Sequence, residues 1–258
     1  MKKPFLLSLC LFMLIGRSFS LQTGPGGPIT KPEVILKNMD NFNDYISLHF
    51  FKLYQDLTAY NEESKVISKR EFLEKLTTGH YLPLRLSSAD NKLYYRLYRF
   101  RSKAFPDMGD YVKSYSEIFL AHYKLAGKKF PAFNFVDIKG NRYNAATTKG
   151  KTIVLKCWYI GCVRCEQEMP ELNKLVALYK NRKDVVFISL AFDSKPKLEA
   201  FLKRKQFDYP IVASQRSFMS NTLGVKMFPT HYVINKQGTI VSVVDGPEEI
   251  SYVLKNKI

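Results

Sequence analysis

The stretch that decides the fold lies in the second half of the chain and reads Lys156-Cys157-Trp158-Tyr159-Ile160-Gly161-Cys162-Val163-Arg164-Cys165-Glu166-Gln167-Glu168-Met169-Pro170. An apolar, β-rich run at 152–155 precedes it, which predicts a strand. Apolar residues at helical spacing follow it, namely Met169, Leu172, Leu175, Val176 and Tyr179. The two cysteines at 162 and 165 therefore stand where a strand gives way to a helix.

This placement favours redox chemistry. Cys162 falls at or just before the first helical turn, where unpaired backbone N–H groups and the positive end of the helix dipole favour a thiolate. The thiolate is the reactive form in thiol–disulfide exchange. A Cys-x-x-Cys pair at such a position is typical of a thioredoxin-like redox site.

The pair Cys162 and Cys165 has two plainer explanations. A structural zinc site needs four ligands, but the sequence has no second Cys-x-x-Cys pair, and its histidines show no ligand spacing. A purely structural disulfide suits an oxidising compartment, but closing so short a loop stabilises a protein little. Redox chemistry is the best interpretation, and we expect no metal and no organic cofactor.

Further segments carry a resemblance that is more specific than the cysteine pair alone. They are 130–135, 137–141, 149–155, Trp158 with Cys162 and Cys165, 168–170, 224–225, 227–230 and 234–240. With this ordered combination, the chain from about residue 128 to the C-terminus resembles the TlpA/ResA-like thiol-disulfide oxidoreductases of the thioredoxin superfamily. The resemblance covers roughly half of the chain.

The resemblance implies an α/β fold for 126–258, with a central mixed sheet flanked by helices. It also implies that Cys162 attacks and Cys165 resolves. Pro229 would be cis, and its loop, with Phe228, would dock an extended substrate segment beside the cysteines; Trp158 is assigned to the same docking role. An ordinary trans proline that opens a strand is the alternative for Pro229.

Departures from the family pattern leave the redox potential and the direction of electron flow open. Members often carry Trp directly before the first cysteine, where this chain has Gly161. Many carry Pro between the cysteines, where this chain has Val163 and Arg164. Thioredoxin itself has a buried Asp at the position of Lys156.

Three residues are candidates for proton handling or for tuning the cysteines, and each has a plainer alternative. Arg164 would favour the Cys162 thiolate electrostatically, or it is a solvated arginine at a helix start. Lys156 would assist proton transfer, but we favour a stem that runs along the core with its amine in water. Glu168 matches the proton-handling glutamate of the family, or it only complements the helix dipole.

Other polar and thiol groups of this half have structural interpretations. Cys157 is expected to be a buried free cysteine that behaves as a small apolar residue, with a role in disulfide exchange as the alternative. His231 is expected to be a packing residue on a strand. His49 and His122 lie on apolar helical faces and are expected to be partly buried.

The N-terminus indicates export. Residues 1–20 predict a signal peptide, because Lys2 and Lys3 precede an apolar run at 5–15 that is short for a membrane span. Ser18 and Ser20 suit a cleavage site. An uncleaved membrane anchor is the alternative. Export would place the protein in an oxidising compartment, most plausibly a bacterial periplasm.

Residues 21–32 are rich in Gly and Pro and predict a linker, and 33–125 predict a mainly helical region of unknown role. Helical periodicity runs through 34–60 with a polar break at 38–44. Ser68 and Glu71 form a capping-box pattern for a helix that ends near residue 76. Residues 81–86 and 92–100 suit two strands, and 110–125 suits a helix. We expect the many tyrosines of this region to pack in or near the core. The alternative is that they form a partner-binding surface.

The net charge of +17 is concentrated in the C-terminal half. Nucleic acid is one partner for such a chain, but no basic cluster is interleaved with aromatics in a nucleic-acid motif. Solvated lysines or attraction to an acidic surface are the simpler explanations.

The sequence therefore predicts an exported oxidoreductase that reduces disulfides of periplasmic proteins. Its partners would be disulfide-containing or thiol proteins, with a redox partner at the membrane. One alternative is a redox-responsive adaptor whose N-terminal region binds a partner. Another is a thiol-dependent peroxide reductase, although the PxxxTxxC pattern of that class is missing from the sequence.

Overall fold

The computed structural model describes residues 24–100 and 106–258. The signal peptide predicted at 1–20 lies outside these residues, as do the first three residues of the predicted linker. In the part of the chain that is described, every helix is too short or too polar to cross a membrane.

The helices are α1 (Pro32–Ile35), α2 (Met39–His49), α3 (Lys69–Leu76), α4 (Pro106–Leu125), α5 (Val163–Gln167), α6 (Met169–Tyr179), α7 (Lys195–Leu202) and α8 (Pro247–Asn256), with a 3-10 helix at Phe50–Tyr54 and a π-helical turn at Phe218–Thr222. The strands are β1 (Leu57–Tyr60), β2 (Val66–Ile67), β3 (Tyr81–Arg85), β4 (Leu93–Arg99), β5 (Asn134–Val136), β6 (Arg142–Asn144), β7 (Thr152–Trp158), β8 (Val185–Ala191), β9 (Ile211–Val212), β10 (Thr230–Ile234) and β11 (Ile240–Val244).

The N-terminal region combines its helices with a sheet of strand order β2-β1-β4-β3. The helical content expected for 33–125 is present, and the strands expected at 81–86 and 92–100 are confirmed as β3 and β4. Helix α3 is also confirmed, because the backbone N–H of Glu71 donates to Ser68 Oγ at 3.1 Å. The helices and the sheet enclose one apolar core that includes Ile46, Phe50 and Leu97.

The helical prediction for the end of 34–60 is wrong, because residues 57–60 form strand β1. This strand pairs in parallel with β4 and antiparallel with β2. Pairing with a segment more than thirty residues away supplies the backbone partners that a helix would otherwise supply internally. Local periodicity carries no information about such a partner.

The C-terminal half is built on a sheet of order β11-β10-β7-β8-β9. Central strand β7 runs parallel to β8 and antiparallel to β10, and all seven of its residues are buried. Helices cover both faces of such a strand, which explains its continuous apolar sequence. Because side chains alternate along a strand, Val154 and Trp158 face one core and Ile153, Leu155 and Cys157 face the other.

Direct contacts join the two halves. The backbone N–H of Gly127 donates to the Ile240 carbonyl at 2.8 Å, so the end of α4 lies along β11. The rings of Tyr54 and Tyr252 meet edge to face at 5.5 Å. Lys257 Nζ lies 2.8 Å from Asp56 Oδ1. The N-terminal region is therefore packed against the same end of the C-terminal sheet that carries β11 and α8.

The hydroxyl of Tyr45 ties α2 to strand β3, because it donates to the Pro83 carbonyl at 2.9 Å and accepts the Arg85 N–H at 2.7 Å. Tyr45→Phe leaves these buried backbone groups without a partner, so we expect the free energy of unfolding to fall by about 1–3 kcal/mol in urea titrations. The matched control is Tyr94→Phe, whose hydroxyl binds the partly exposed Asp90; a change of less than about 0.5 kcal/mol is expected there. Equal effects of the two changes would contradict this account.

Candidate active site

The turn between β7 and α5 fixes the position of the cysteines. Gly161 adopts φ +92°, a left-handed conformation that glycine takes without a steric penalty. Its N–H donates to Glu166 Oε1 at 2.9 Å, and the N–H of Ile160 donates to Asp193 Oδ2 at 2.8 Å. The backbone conformation thus explains why this chain has a glycine directly before Cys162.

Cys162 and Cys165 form a disulfide, with their Cα atoms 5.2 Å apart. Cys162 is the N-cap of α5, and its sulfur accepts the N–H of Cys165 at 3.3 Å. Both cysteines are buried, but they differ in access, since the residue Cys162 is 6% exposed and Cys165 is fully inaccessible. Only the first cysteine is therefore placed to meet another protein. Between them Val163 and Arg164 are exposed to solvent.

The Phe228–Pro229 peptide bond is cis, which confirms the expectation for Pro229. Thr230 lies opposite Cys157 in the β10–β7 register, so the loop before it reaches the carboxyl end of β7, where the cysteines follow. The Phe228 ring packs against Tyr159, with the centroids 5.4 Å apart. Phe228 is partly exposed, whereas Pro229 is buried.

The assignment of Trp158 to substrate docking is wrong. Its side chain is fully buried and packs against Phe201 and Phe207, each with centroids 5.5 Å away. As the last residue of β7, it points to the inner face of the sheet. Trp158 therefore packs in the core beneath the cysteines, where a docked protein would not contact it.

A buried charged cluster lies beneath Cys165. Lys156 Nζ donates to Glu168 Oε1 and, at 3.2 Å, to the carbonyl of Cys165. The same Glu168 oxygen is 3.0 Å from His231 Nε2. Lys156 and His231 are fully inaccessible and Glu168 is 9% exposed. The cluster joins three elements, because its members come from β7, β10 and the junction of α5 with α6.

The expectation that the Lys156 amine reaches water is wrong. Its strand lies in the middle of the sheet, and the amine meets the carboxylate of Glu168 inside the protein instead. Burial by itself would raise the pKa of Glu168, but His231 and Lys156 hold the pKa of that carboxyl below its ordinary value. Burial lowers the pKa of Lys156, and Glu168 opposes that effect. The carboxylate form of Glu168 is thus favoured close to Cys165.

Cys157 is a buried free cysteine, as expected. It lies on the opposite face of β7 from Lys156, in the core with Ile188 and Tyr232. Burial raises the pKa of the Cys157 thiol, so the unreactive thiol form is favoured.

Arg164 faces an open cavity of about 600 Å³ between the two halves of the chain. The aromatic side of this cavity includes Phe51, Tyr54 and Tyr115 from the N-terminal region. Its opposite side includes Met227, two residues before Pro229, and the acidic residues Asp245, Glu248 and Glu249. Burial raises the pKa of Glu249 to about 8. The cavity therefore begins at the edge of the cysteine pair and of the cis-proline loop.

Sequence reasoning missed the contact that His231 makes with Glu168. His231 was expected to be a packing residue, but it contacts Glu168 from within a fully buried strand. One signal was available: His231 and Lys156 are polar residues inside apolar strand runs, and buried polar groups need partners. His231 and Lys156 lie opposite each other because of the pairing register of β10 and β7, and this register cannot be read from the sequence.

Among the described residues, no three His, Cys, Asp or Glu side chains are grouped so as to hold a metal ion. The disulfide at the start of a helix, the cis-proline loop beside it and the sheet of order β11-β10-β7-β8-β9 together define a thioredoxin-fold protein of the thiol-disulfide exchange class.

Comparison with known proteins identifies the family of this chain. The Redoxin family model matches residues 125–255. The thiol-disulfide oxidoreductase ResA of Bacillus anthracis is 31% identical over 123 residues, which are 47% of this chain and 70% of that protein. The protein of the same name from Geobacillus kaustophilus is 29% identical over 120 residues, 46% of this chain and 69% of that protein. The chain belongs to the redoxin family, as a TlpA/ResA-like member of the thioredoxin superfamily, and it is a protein thiol-disulfide oxidoreductase.

Solved structures show similarity over about half of this chain. A thiol-disulfide oxidoreductase from Bacteroides fragilis superposes with a TM-score of 0.46 at 19% identity, over 51% of this chain and 100% of that one. The exposed lipoprotein thioredoxin of Streptococcus pneumoniae gives a TM-score of 0.43 at 22% identity, over 48% of this chain and 98% of that one.

The buried ion pair generates a stability prediction. Glu168→Gln leaves the Lys156 amine without its counter-charge, so we expect a loss of about 3–5 kcal/mol in the free energy of unfolding of the oxidised protein. Adding Lys156→Met removes the unpaired amine, so the double variant should be more stable than the sum of the single losses by about 1–3 kcal/mol. Urea unfolding of all four proteins at pH 7 measures this coupling.

The control cycle uses the exposed pair Lys174 and Glu171, which is 2.6 Å apart and mostly in solvent. Its coupling should stay below about 0.5 kcal/mol. Additive losses at Lys156 and Glu168 would show that the two groups do not stabilise each other.

Proposed function

We propose that this protein is an exported oxidoreductase that reduces disulfides of periplasmic proteins through Cys162 and Cys165. The observation that carries the proposal is the unequal access of the two cysteines, because Cys162 keeps 6% of its surface exposed and Cys165, close to the Lys156–Glu168 pair, keeps none. An attacking cysteine that is more accessible than the resolving one is what a two-step exchange requires.

The first step is attack by Cys162. In the reduced protein, the free N–H groups at the start of the helix favour its thiolate. The thiolate attacks one sulfur of a substrate disulfide, the substrate S–S bond breaks, and the other substrate sulfur leaves as a thiolate. Arg164 beside it, exposed and cationic, supports the same charge state at Cys162.

The second step is resolution by Cys165. Its thiol gives its proton to Glu168, and the resulting thiolate attacks Cys162 Sγ. The mixed disulfide breaks, the substrate leaves reduced by two electrons, and the protein is left with the Cys162–Cys165 disulfide. Lys156 assists by holding Glu168 and the Cys165 carbonyl in one place.

The substrate segment would lie against the loop of Phe228 and Pro229 beside the end of β7, where Phe228 is partly exposed and Pro229 is buried beneath it. The cavity that begins at Arg164 and Met227 continues this surface toward the N-terminal region. We propose that 126–258 form the thioredoxin-like domain. In this proposal the separate region 33–125 supplies the far wall of the substrate cavity.

Export is proposed from the signal-like residues 1–20. In an oxidising compartment the cysteine pair would return to the disulfide unless another protein reduced it. We therefore propose a thiol protein at the membrane as the electron donor.

The cysteine roles can be separated by substitution. With a disulfide-containing protein as substrate, Cys162→Ser should lower turnover more than 1,000-fold, because no attacking sulfur remains. Cys165→Ser should instead trap a covalent complex, visible on a non-reducing gel and by mass spectrometry. The control is Cys157→Ala, which should keep at least half of the activity since Cys157 faces the other core. Full turnover by Cys162→Ser would sink the proposal, and cysteine-dependent consumption of hydrogen peroxide would favour a peroxidase.

The direction of electron flow is tested by the equilibrium reduction potential of the Cys162/Cys165 pair in defined thiol–disulfide buffers. A reductase should give a value near that of thioredoxin, about −270 mV. A value near about −120 mV would make the protein an oxidant of its substrates. The intrinsic fluorescence of Trp158, the only tryptophan of the chain, reports the redox state because it shares a core cluster with both cysteines.

A further inference from the structure

The proton that Cys165 releases has no direct way out of the protein. Cys165 is fully buried and Glu168 is 9% exposed. Each turnover nevertheless loads a proton onto Glu168, and that proton must leave before the next resolution. A path from Glu168 to solvent is therefore part of the reaction that we propose for this site.

The polar contacts of Glu168 lead away from Cys165 toward His231. Its Oε1 lies 3.0 Å from Nε2 of His231, and on the other side it meets Lys156, whose amine is held by the Cys165 carbonyl. The second ring nitrogen of His231, Nδ1, is buried and has no hydrogen-bond partner among residues 24–100 and 106–258. An imidazole can accept a proton at one nitrogen and release another from the opposite nitrogen.

Asp245 supplies the next group. His231 stands opposite Val244 in the β10–β11 register, so Asp245 follows directly at the end of β11. Oδ1 of Asp245 is also buried and, within the described part of the chain, unpartnered. His231 Nδ1 and Asp245 Oδ1 are thus two buried polar atoms without a hydrogen-bond partner in the described part of the chain. A single bridging water could bind both of them.

Other charged groups face Asp245 from the surrounding elements. His122 on α4 has Nδ1 at 3.9 Å from Oδ2, and Glu249 on α8 accepts the Asp245 N–H at 3.0 Å. Arg164 and Glu168 also act on it through space. Burial is the largest influence and raises the pKa of Asp245, so this carboxyl takes up a proton more readily than an exposed one.

Asp245 also reaches solvent, because it lines the open cavity of about 600 Å³ that separates the two halves of the chain. The hydrogen bonds run from the Cys165 carbonyl through Lys156 and Glu168 to His231, and one gap, between His231 Nδ1 and Asp245 Oδ1, separates them from the residue that lines the cavity. A single bridging water would close that gap.

We infer that His231 and Asp245 are a proton relay, which carries the proton of Cys165 from Glu168 to the cavity between the N-terminal region and the redox domain. The inference rests on the proposed function of Cys162 and Cys165. In the transfer, protonated Glu168 gives its proton to Nε2 of His231 while the proton on Nδ1 leaves toward Asp245. Asp245 then releases a proton to water in the cavity. When the protein is reduced again, the same path returns a proton to Cys165.

The test separates the two chemical steps by stopped-flow fluorescence of Trp158, with the reduced protein mixed with a peptide disulfide. Attack by Cys162 depends on peptide concentration, and Cys165→Ser shows that phase alone. Resolution by Cys165 does not depend on it. For Asp245→Asn and for His231→Gln, we expect the resolution rate to fall about tenfold at low buffer concentration, with the attack rate within twofold of the parent.

Added imidazole, a small proton carrier, should restore the resolution rate of Asp245→Asn to within about twofold of the parent rate. A merely structural role would not respond to buffer. Glu199→Gln is the matched control, because Glu199 on α7 is exposed and lies outside both the cavity and the contact path; it should resolve at the parent rate with no response to imidazole.

Several outcomes would overturn the relay. An unchanged resolution rate in both variants would do so, and so would a loss that imidazole does not restore. An equal response of Glu199→Gln would also count against it. These results leave the proposed function standing, since attack by Cys162 would still be measured. Absence of both phases in the parent protein would instead mean that the proposed function itself is wrong.

Discussion

The carboxylate of Glu168, buried between two bases, is the constraint on which the site depends. Removing a charged group from water is costly unless opposite charges and hydrogen bonds replace the solvent. Lys156 comes from β7, His231 from β10, and Glu168 from the junction of α5 with α6. The three elements that meet at this cluster are the same three that bring together Cys162, Cys165 and the Phe228–Pro229 loop. A shift of any one of them would leave a charge buried without its partner, so the cluster holds the redox site in register.

The two faces of the central strand β7 carry side chains with different functions. Lys156 and Trp158 point toward the cysteines, while Cys157 points into the opposite core, where burial keeps it in the thiol form. Cys157 therefore differs in chemistry from Cys162, because strand alternation turns Cys157 into the opposite core, whereas Cys162 lies beyond the strand at the start of α5. The N-terminal region adds a boundary to this site. Its aromatic residues Phe51, Tyr54 and Tyr115 close one side of the cavity that begins at Arg164.

Much of the architecture could be predicted from the sequence, because it is encoded locally. The strand, the Cys-x-x-Cys turn and the helix after it follow from periodicity and spacing, as does the capped helix α3 at Ser68. The cis peptide bond at Pro229 was predicted from the family resemblance, which implies a cis proline at this position of the motif. Strand β1 was missed because its pairing with β4 depends on a segment far away in the chain. Trp158 was assigned to substrate docking, but its side chain is fully buried because its direction is set by the face of β7 on which it lies.

By itself, the sequence determined that this chain has a redox-type cysteine pair between a strand and a helix, within a thioredoxin-like half. Local spacing and side-chain chemistry are enough for that conclusion, since both cysteines lie on one short segment. Only the tertiary structure decided what surrounds them. Whether the Lys156 amine would meet water or Glu168, and whether His231 would pack or bond, depended on the register between β7 and β10 and on the position of the helix above them. Side chains that are 75 residues apart in the chain acquire a shared role through that register, and the register is fixed by the packing of the whole sheet.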